Sequence, residues 1–559
     1  MIPLILDILT AIYAVSAALL ALYTFGSCIL LALSLLPNRA PEAQSLLLVN
    51  SCAPKPALAG LSSLAFEPLT AVEFPAIAVQ LPIYNEPMVV ERLIDAAARL
   101  DYPHDKLIIQ VLDDSTDETV ALAAARVAHW RAAGIDIAHV RRDGRTDYKA
   151  GALKYGMACL EDRAEFAAIF DADFIPPPDF LRRVVPRLAA APRVGAIQTR
   201  WGHLNPDASA LTRAQSLALD GHFGVEQIGR ARGGLLTNFS GSGGVWRLEA
   251  IRAAGGWSAA TLTEDLDLSY RAQLCGWQIV YRPDLVVLGE IPVDLAAYKT
   301  QQARWARGNT RCLMQIAPLL WRTPGLTLMQ RAMGMLHLCQ YLTAPLMIAL
   351  LLLTPPLLLT GSLKTVSALS GLSAFGIGTI LMPLIGAWRV RPAGDVRTLW
   401  HWIARIALGF PALIALGTGM AWNNAVAVVN ELTGRRIAFQ RTPKTGNKKN
   451  VIVDDAAQRR EKEFTTKAQR HAGRSRFRSL RYAASAALKR YSASDMNLPN
   501  LIAEMMLAGY ALWGLGAALQ YARGFAPYMT VYVIGFMVVV VWQIRDALRK
   551  RVPADQTLA

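Results

Sequence analysis

Residues 4–36 form an apolar run whose one charge, Asp7, lies near its start, and no other stretch restricts the fold as tightly. About 20 apolar residues suffice to cross a bilayer as a helix. In hydrocarbon the backbone must satisfy its own hydrogen bonds, so such a run is helical. It is too long for a signal-peptide core and lacks a clear small-x-small cleavage site, so it reads as a retained span. Further runs occupy 338–360, 369–388, 501–522 and 528–544. Together they explain a mean hydropathy of +0.28 without a uniformly apolar chain.

The net charge of +16 is concentrated: residues 441–490 carry 15 Lys/Arg against 4 Asp/Glu. One reading is a nucleic-acid-binding arm. The plainer one is a cytosolic loop obeying the positive-inside rule and facing anionic headgroups, with the lipid bilayer as partner and no nucleic acid. The six cysteines show no paired short spacing, which argues against a zinc site or a disulfide framework and fits a reduced, cytosol-facing domain. Residues 403–422 are apolar enough to cross, but crossing would put the basic loop outside. They are therefore expected to lie in the interface or re-enter, helped by Pro411.

Between the first span and the next run, strand and helix patterns alternate. Strands are expected at 77–81, 107–112, 137–141, 166–170 and 194–199, with helices at 88–100, 118–132, 148–159 and 180–190. Such repetition favours a mostly parallel sheet covered on both faces. Ligands of such sheets sit beyond the carboxyl ends of the strands, where Asp113 and Asp171 both fall.

Four motifs follow one another. Asp113 and Asp114 can accept hydrogen bonds from a nucleotide or cap the following helix. Asp171-Ala172-Asp173 is either an ordinary acidic loop or, placed at a strand end, a pair that reaches one hard cation beside a diphosphate. Asp265, in Thr263-Glu264-Asp265, is the candidate base for an acceptor hydroxyl, although the same residues suit a helix N-terminus. In Gln301-Gln302-Ala303-Arg304-Trp305 the indole can stack on a pyranose and the guanidinium can hold a diphosphate; a basic amphipathic surface helix is the alternative. Lys149, opening a helix with Arg145 just before it, suits phosphate approach.

Taken together these motifs resemble the membrane-embedded, processive family-2 glycosyltransferases, the cellulose-synthase-like group. The resemblance runs over about residues 77–444 and is greatest to the cellulose-synthase-like A and C branch and its bacterial relatives. Phe239-Ser240-Gly241-Ser242-Gly243-Gly244-Val245-Trp246-Arg247 is similar to that branch's Phe-Asn-Gly-Thr-Ala-Gly-Val-Trp-Arg signature, with Ser240 and Ser242 replacing Asn and Thr. Gln198-Thr199-Arg200-Trp201 with His203 is similar too. The resemblance implies an α/β GT-A (Rossmann-like) cytosolic catalytic domain inserted between transmembrane α-helices, with amphipathic interface helices. It implies inverting transfer from a nucleotide sugar with Mg²⁺ or Mn²⁺.

It further implies Tyr84, Glu86, Asp113, Asp114, Lys149, Gln301 and Arg304 at the nucleotide, and Asp171 and Asp173 at the metal. Asp265 with Glu264 would be catalytic. Trp305, Ser242, Gly243 and His203 would meet the acceptor. Phe439, Thr442 and Lys444 would belong to a gating loop. The expected organisation is an N-terminal span (1–37), a linker (38–73), the catalytic domain (74–300) and interface helices (301–330). Two spans (331–392), the interfacial segment (393–434), the basic loop (435–497), two further spans (498–548) and a cytosolic tail (549–559) complete it.

The function expected is polymerisation of hexose units from UDP-glucose or GDP-mannose, of β-1,4-glucan or mannan type, with export of the growing glycan across a bacterial inner membrane. The rivals are a non-processive transferase with a lipid acceptor and a transporter or scaffold without chemistry.

Overall fold

The computed structural model describes residues 2–37, 74–363, 374, 376–392, 394–435 and 498–551. The gating-loop residues Phe439, Thr442 and Lys444 and most of the basic loop lie outside the described residues. So does the linker.

The catalytic region is one eight-stranded sheet in the order β3-β2-β1-β4-β7-β6-β8-β5. Its parallel half contains β1 (Ile77–Ile83), β2 (Leu107–Asp113), β3 (Ile137–Val140) and β4 (Phe166–Ile169). β2 is buried at every position, as expected of a strand covered on both faces. Buried Gln80 and Gln110 satisfy each other across β1 and β2 (Nε2 to Oε1, 2.9 Å). The covering helices α2 (Val90–Ala98), α3 (Thr119–Ala132), α4 (Tyr148–Ala158) and α5 (Phe180–Ala189) fall close to the expected positions.

The other half keeps the sheet mostly parallel but adds two reversed strands, β7 and β5. β5 (Phe174–Ile175), β6 (Val194–His203), β7 (Gly244–Arg247) and β8 (Gln278–Gly289) complete a mixed sheet. β7 runs antiparallel to both β4 and β6. That reversal brings the loop before β7 to the carboxyl end of β4, where Gly244 pairs with Ile169. It was not anticipated because β7 has only four residues and follows a glycine-rich stretch.

Helix α6 (Ala210–Gly221) passes through a π-turn, His222–Glu226, into α7 (Gln227–Arg232). After α8 (Leu248–Ala253), α9 (Glu264–Leu274) and β8, the 28-residue α10 (Leu295–Arg322) leads to α11 (Leu328–Leu338).

Among the described residues, five helical stretches are long and apolar enough to cross a membrane: Ile2–Leu35, Gln340–Leu359, Val396–Leu432, Leu498–Tyr521 and Arg523–Leu548. Within them lie α1 (Ile2–Leu35), α12 (Thr343–Leu359), α14 (Val396–Gly419), α15 (Ala421–Leu432), α16 (Leu498–Tyr521) and most of α17 (Ala526–Arg551). Within the expected crossing 369–388 the described helix is α13 (Ile377–Arg389), 13 residues. Val396–Leu432, expected to lie in the interface, meets the length and composition of a span, with Pro411 held inside α14. The first half of α14 nonetheless packs on the catalytic domain: Arg405 donates to Ser216 Oγ of α6 (2.8 Å) and pairs with Asp207 (3.7 Å).

Candidate active site

At the carboxyl end of β2 the two acids have separate duties. Asp113 is buried; it accepts from the Ser115 amide (2.8 Å) and pairs with His139 Nε2 of β3 (2.8 Å). Burial raises its pKa, but His139 and Ser115 outweigh that and hold it below the usual value. Asp114 takes a two-pronged bond from Arg142 (2.8 and 2.7 Å). Arg142 also donates to the carbonyls of Thr146 and Tyr148, so it ties Asp114 to the turn that opens α4. In that turn Asp147 and Tyr148 have positive φ (61° and 46°), an uncommon conformation for non-glycine residues. Tyr84 lies at the end of β1 with the Arg145 guanidinium 3.4 Å above its ring, and buried Glu86 starts α2 through its carbonyl.

Beyond β4 the Asp171–Asp173 turn meets Lys149. The ammonium contacts Asp171 Oδ1 (2.6 Å), Glu264 Oε1 (3.5 Å) and the Gly241 carbonyl (2.9 Å). Burial alone would lower the Lys149 pKa; Asp171 and Glu264 drive it above the ordinary lysine value. Asp173 is 6 % exposed.

Asp265 stands in the first turn of α9, where the helix dipole favours acids. Burial foremost, and the charge of Glu264 next, push its pKa up to about 7; Lys149 and Arg304 oppose them. Gly241 makes room for it: a Cβ there would sit 2.6 Å from Asp265 Oδ2, and Gly241 has φ +85°. Helix α10 comes equally close. A Cβ on Gly308 would lie 2.6–2.8 Å from Thr263, the residue before Glu264. Arg304 acts on Asp265 electrostatically, and half-buried Gln301 and Trp305 stand on the same helix. Lys149, Asp171, Glu264, Asp265 and Arg304 therefore gather around one point, although they span more than 150 positions of the chain.

Three of the residues expected at the acceptor, Ser242, Gly243 and His203, have partners within the protein. Ser242 is fully buried, and its hydroxyl accepts from the Asp171 amide (3.0 Å). Its carbonyl accepts from Trp201 Nε1 (2.9 Å) and Gln198 Nε2 (3.1 Å). The Gly243 carbonyl accepts from Thr199 Oγ1 (2.6 Å), and His203 pairs with Asp220 (3.0 Å). These groups shape the loop that carries Gly241 and Asp171.

Two supporting groups went unread in the sequence: Arg142 and His139. Each belongs to a strand or strand end facing the site, and only the strand order shows which acid it serves. A second network centres on Glu226 in the π-turn, which pairs with His222 (2.9 Å) and Arg230 (2.9 Å). Against burial, Arg230 and His222 hold its pKa well below the ordinary value.

Comparison with known proteins shows what this segment is similar to. Residues 75–308 match the protein family described as "Glycosyltransferase like family 2". The chain is 45 % identical over 247 residues to a probable glucomannan 4-beta-mannosyltransferase of Oryza sativa subsp. japonica, covering 44 % of this chain and 42 % of that protein. It is 44 % identical over 244 residues to a glucomannan 4-beta-mannosyltransferase of Arabidopsis thaliana, covering 43 % and 46 %. The match thus spans about half the length of these curated relatives or somewhat less. Both are plant proteins, so they lend no support to the expected bacterial inner membrane. Among solved structures, a mannosyltransferase from Pyrobaculum calidifontis in complex with GDP-mannose and Mn²⁺ aligns with 76 % of this chain and 100 % of its own, at TM-score 0.44 and 19 % identity. Residues 75–308, the segment similar to that glycosyltransferase family, hold the mixed sheet, and apolar helices flank it.

Proposed function

We propose that the protein is an inverting, processive β-mannosyltransferase that extends a β-1,4-linked hexose chain from a nucleotide sugar, GDP-mannose in preference to UDP-glucose. The observation that carries this reading is the single cluster of Lys149, Asp171, Glu264 and Asp265 at the carboxyl rim of the sheet. The names of the curated relatives favour mannose and the 1,4 linkage.

In this reading Asp265 is the base. Its raised pKa places it near neutral pH, where a carboxylate accepts the attacking hydroxyl's proton most effectively. Inversion requires the acceptor hydroxyl to attack opposite the leaving diphosphate, and the base belongs on the acceptor side. Lys149 and Arg304 supply positive charge fixed in place before the reaction begins. Asp114 and Tyr84 hold the nucleoside end, and Trp305 offers its ring to the acceptor sugar.

Asp171 and Asp173 fit a divalent cation such as Mn²⁺ or Mg²⁺. Among the described residues no three His, Cys, Asp or Glu side chains form a closed cage. Magnesium-type sites typically use one or two carboxylates and complete their shell with substrate phosphate and water. The cation would neutralise charge on the leaving diphosphate.

The catalytic domain would face the cytosol, with the first half of α14 against it and the apolar helices conducting the glycan outward. The test is to incubate purified protein in lipid vesicles with GDP-mannose, UDP-glucose and other nucleotide sugars plus Mn²⁺ or Mg²⁺. Nucleoside diphosphate release and the linkage of the product are then measured. An insoluble β-1,4 hexan from GDP-mannose is expected. A single added sugar on lipid would establish the non-processive alternative, and no diphosphate release from any donor would end the reading.

A further inference from the structure

Glu504 lies in α16 and is fully buried. An ionisable group within a span is costly and by default functional. It accepts from Lys299 Nζ of α10 (2.6 Å), while Gln543 of α17 donates to its second oxygen (2.5 Å). Gln543 Oε1 in turn accepts from Lys299 Nζ (3.1 Å). Two neighbouring contacts tie the same end of α10 to other helices. Asp546 of α17 accepts from the Leu295 amide (3.2 Å), and Asn423 of α15 donates to the Lys299 carbonyl (3.2 Å). Glu504, Gln543 and Asp546 all lie beyond the matched family segment, which ends at residue 308.

Helix α10 thus has one anchored end. Lys299 precedes Arg304 by five residues and Trp305 by six, about 9 Å along the axis. Farther along, Gly308 presses against Thr263 beside the base. With Lys299 fixed, the rigid helix sets how far Arg304, Trp305 and Gly308 reach toward Asp265.

We infer that Lys299, Glu504 and Gln543 are positioning residues: through them the last two apolar helices fix the register of α10 against the catalytic turn. The inference rests on the transfer reading above.

The test uses the full-length protein in lipid vesicles. Removing one charge strands the other in a buried site, so the pair is replaced together as Lys299→Met with Glu504→Met. Gln543→Leu is made separately because it strands no charge. The double variant is expected to stay folded, to lose at least about tenfold in kcat and to keep donor KM within about twofold, as expected when geometry rather than donor binding is disturbed. Gln543→Leu should show a smaller loss in the same sense. Amide exchange over residues 300–310 should accelerate in both variants, and this is read without turnover.

A folded double variant with wild-type kcat and unchanged exchange would overturn the inference. If the double variant fails to fold, Gln543→Leu decides: unchanged kcat and exchange overturn it, and a loss with faster exchange supports it. A wild-type protein that releases no diphosphate from any donor sinks the proposed function, and the exchange result still decides the anchoring.

Discussion

Replacing Glu264 with Gln should move the acid limb of the pH–rate profile to lower pH. Asp265 must be ionised to take a proton. With its pKa at about 7, activity falls as pH drops through 7. At pH 6 the wild type should retain about one-tenth of its plateau in kcat/KM. Burial is the largest cause of the raised value and Glu264 the next. A neighbouring like charge at an effective dielectric near 20 is worth about 2–4 kcal/mol before screening. Lys149, freed from Glu264, would also pull harder on Asp265 in the same direction. Allowing for screening, a downward shift of about one pH unit, or roughly 1.4 kcal/mol, is a conservative figure. The variant should then keep about half of its own plateau at pH 6. The assay is initial nucleoside diphosphate release from pH 5 to 9, each profile normalised to its own maximum. A limb that stays at its wild-type position or moves upward would refute the assignment of Asp265 as the ionising base.

Three further outcomes follow from the site. Arg142→Lys breaks the two-pronged bond to Asp114, and a hydrogen bond to a charged group is worth about 1.5–3 kcal/mol. Donor KM should rise by about tenfold or more with a smaller change in kcat; titration with the nucleoside diphosphate checks this. Gly308→Ala puts a methyl group against the Thr263 backbone, an overpacking cost of about 1–3 kcal/mol, and should lower both the thermal midpoint and the transfer rate. Chelation by EDTA should stop diphosphate release, and added Mn²⁺ or Mg²⁺ should restore it; full activity in EDTA would remove Asp171 and Asp173 from the metal role.

Much of the catalytic half was legible because its signals are local. Strands such as 107–112 are apolar runs, here interrupted by Gln110 alone, that end in acids, and a run of that kind buried on both faces has few other homes. The acids at strand ends followed from the fold class alone. What stayed hidden depends on contacts distant in sequence. Ser242 looks like an acceptor residue in its motif, but the antiparallel turn into β7 directs its hydroxyl to the Asp171 amide. His139 became the partner of Asp113 only through the pairing of β2 with β3. The apolar helices show the same limit. Hydropathy recognised 403–422 as apolar, but it could not show that α14 begins alongside α6 of the catalytic domain through Arg405. Nor does any pattern near Glu504 announce Lys299, 205 positions away.

The central claim is that Asp265 removes the acceptor's proton at a donor site built by other residues. The most direct measurement compares wild-type protein with Asp265→Asn for two quantities: nucleoside diphosphate binding by calorimetry and incorporation of labelled mannose into polymer. Binding within about twofold of wild type, together with transfer reduced by at least about a thousandfold, is expected of a lost base in an intact site. Polymer made at the wild-type rate by Asp265→Asn would contradict the account.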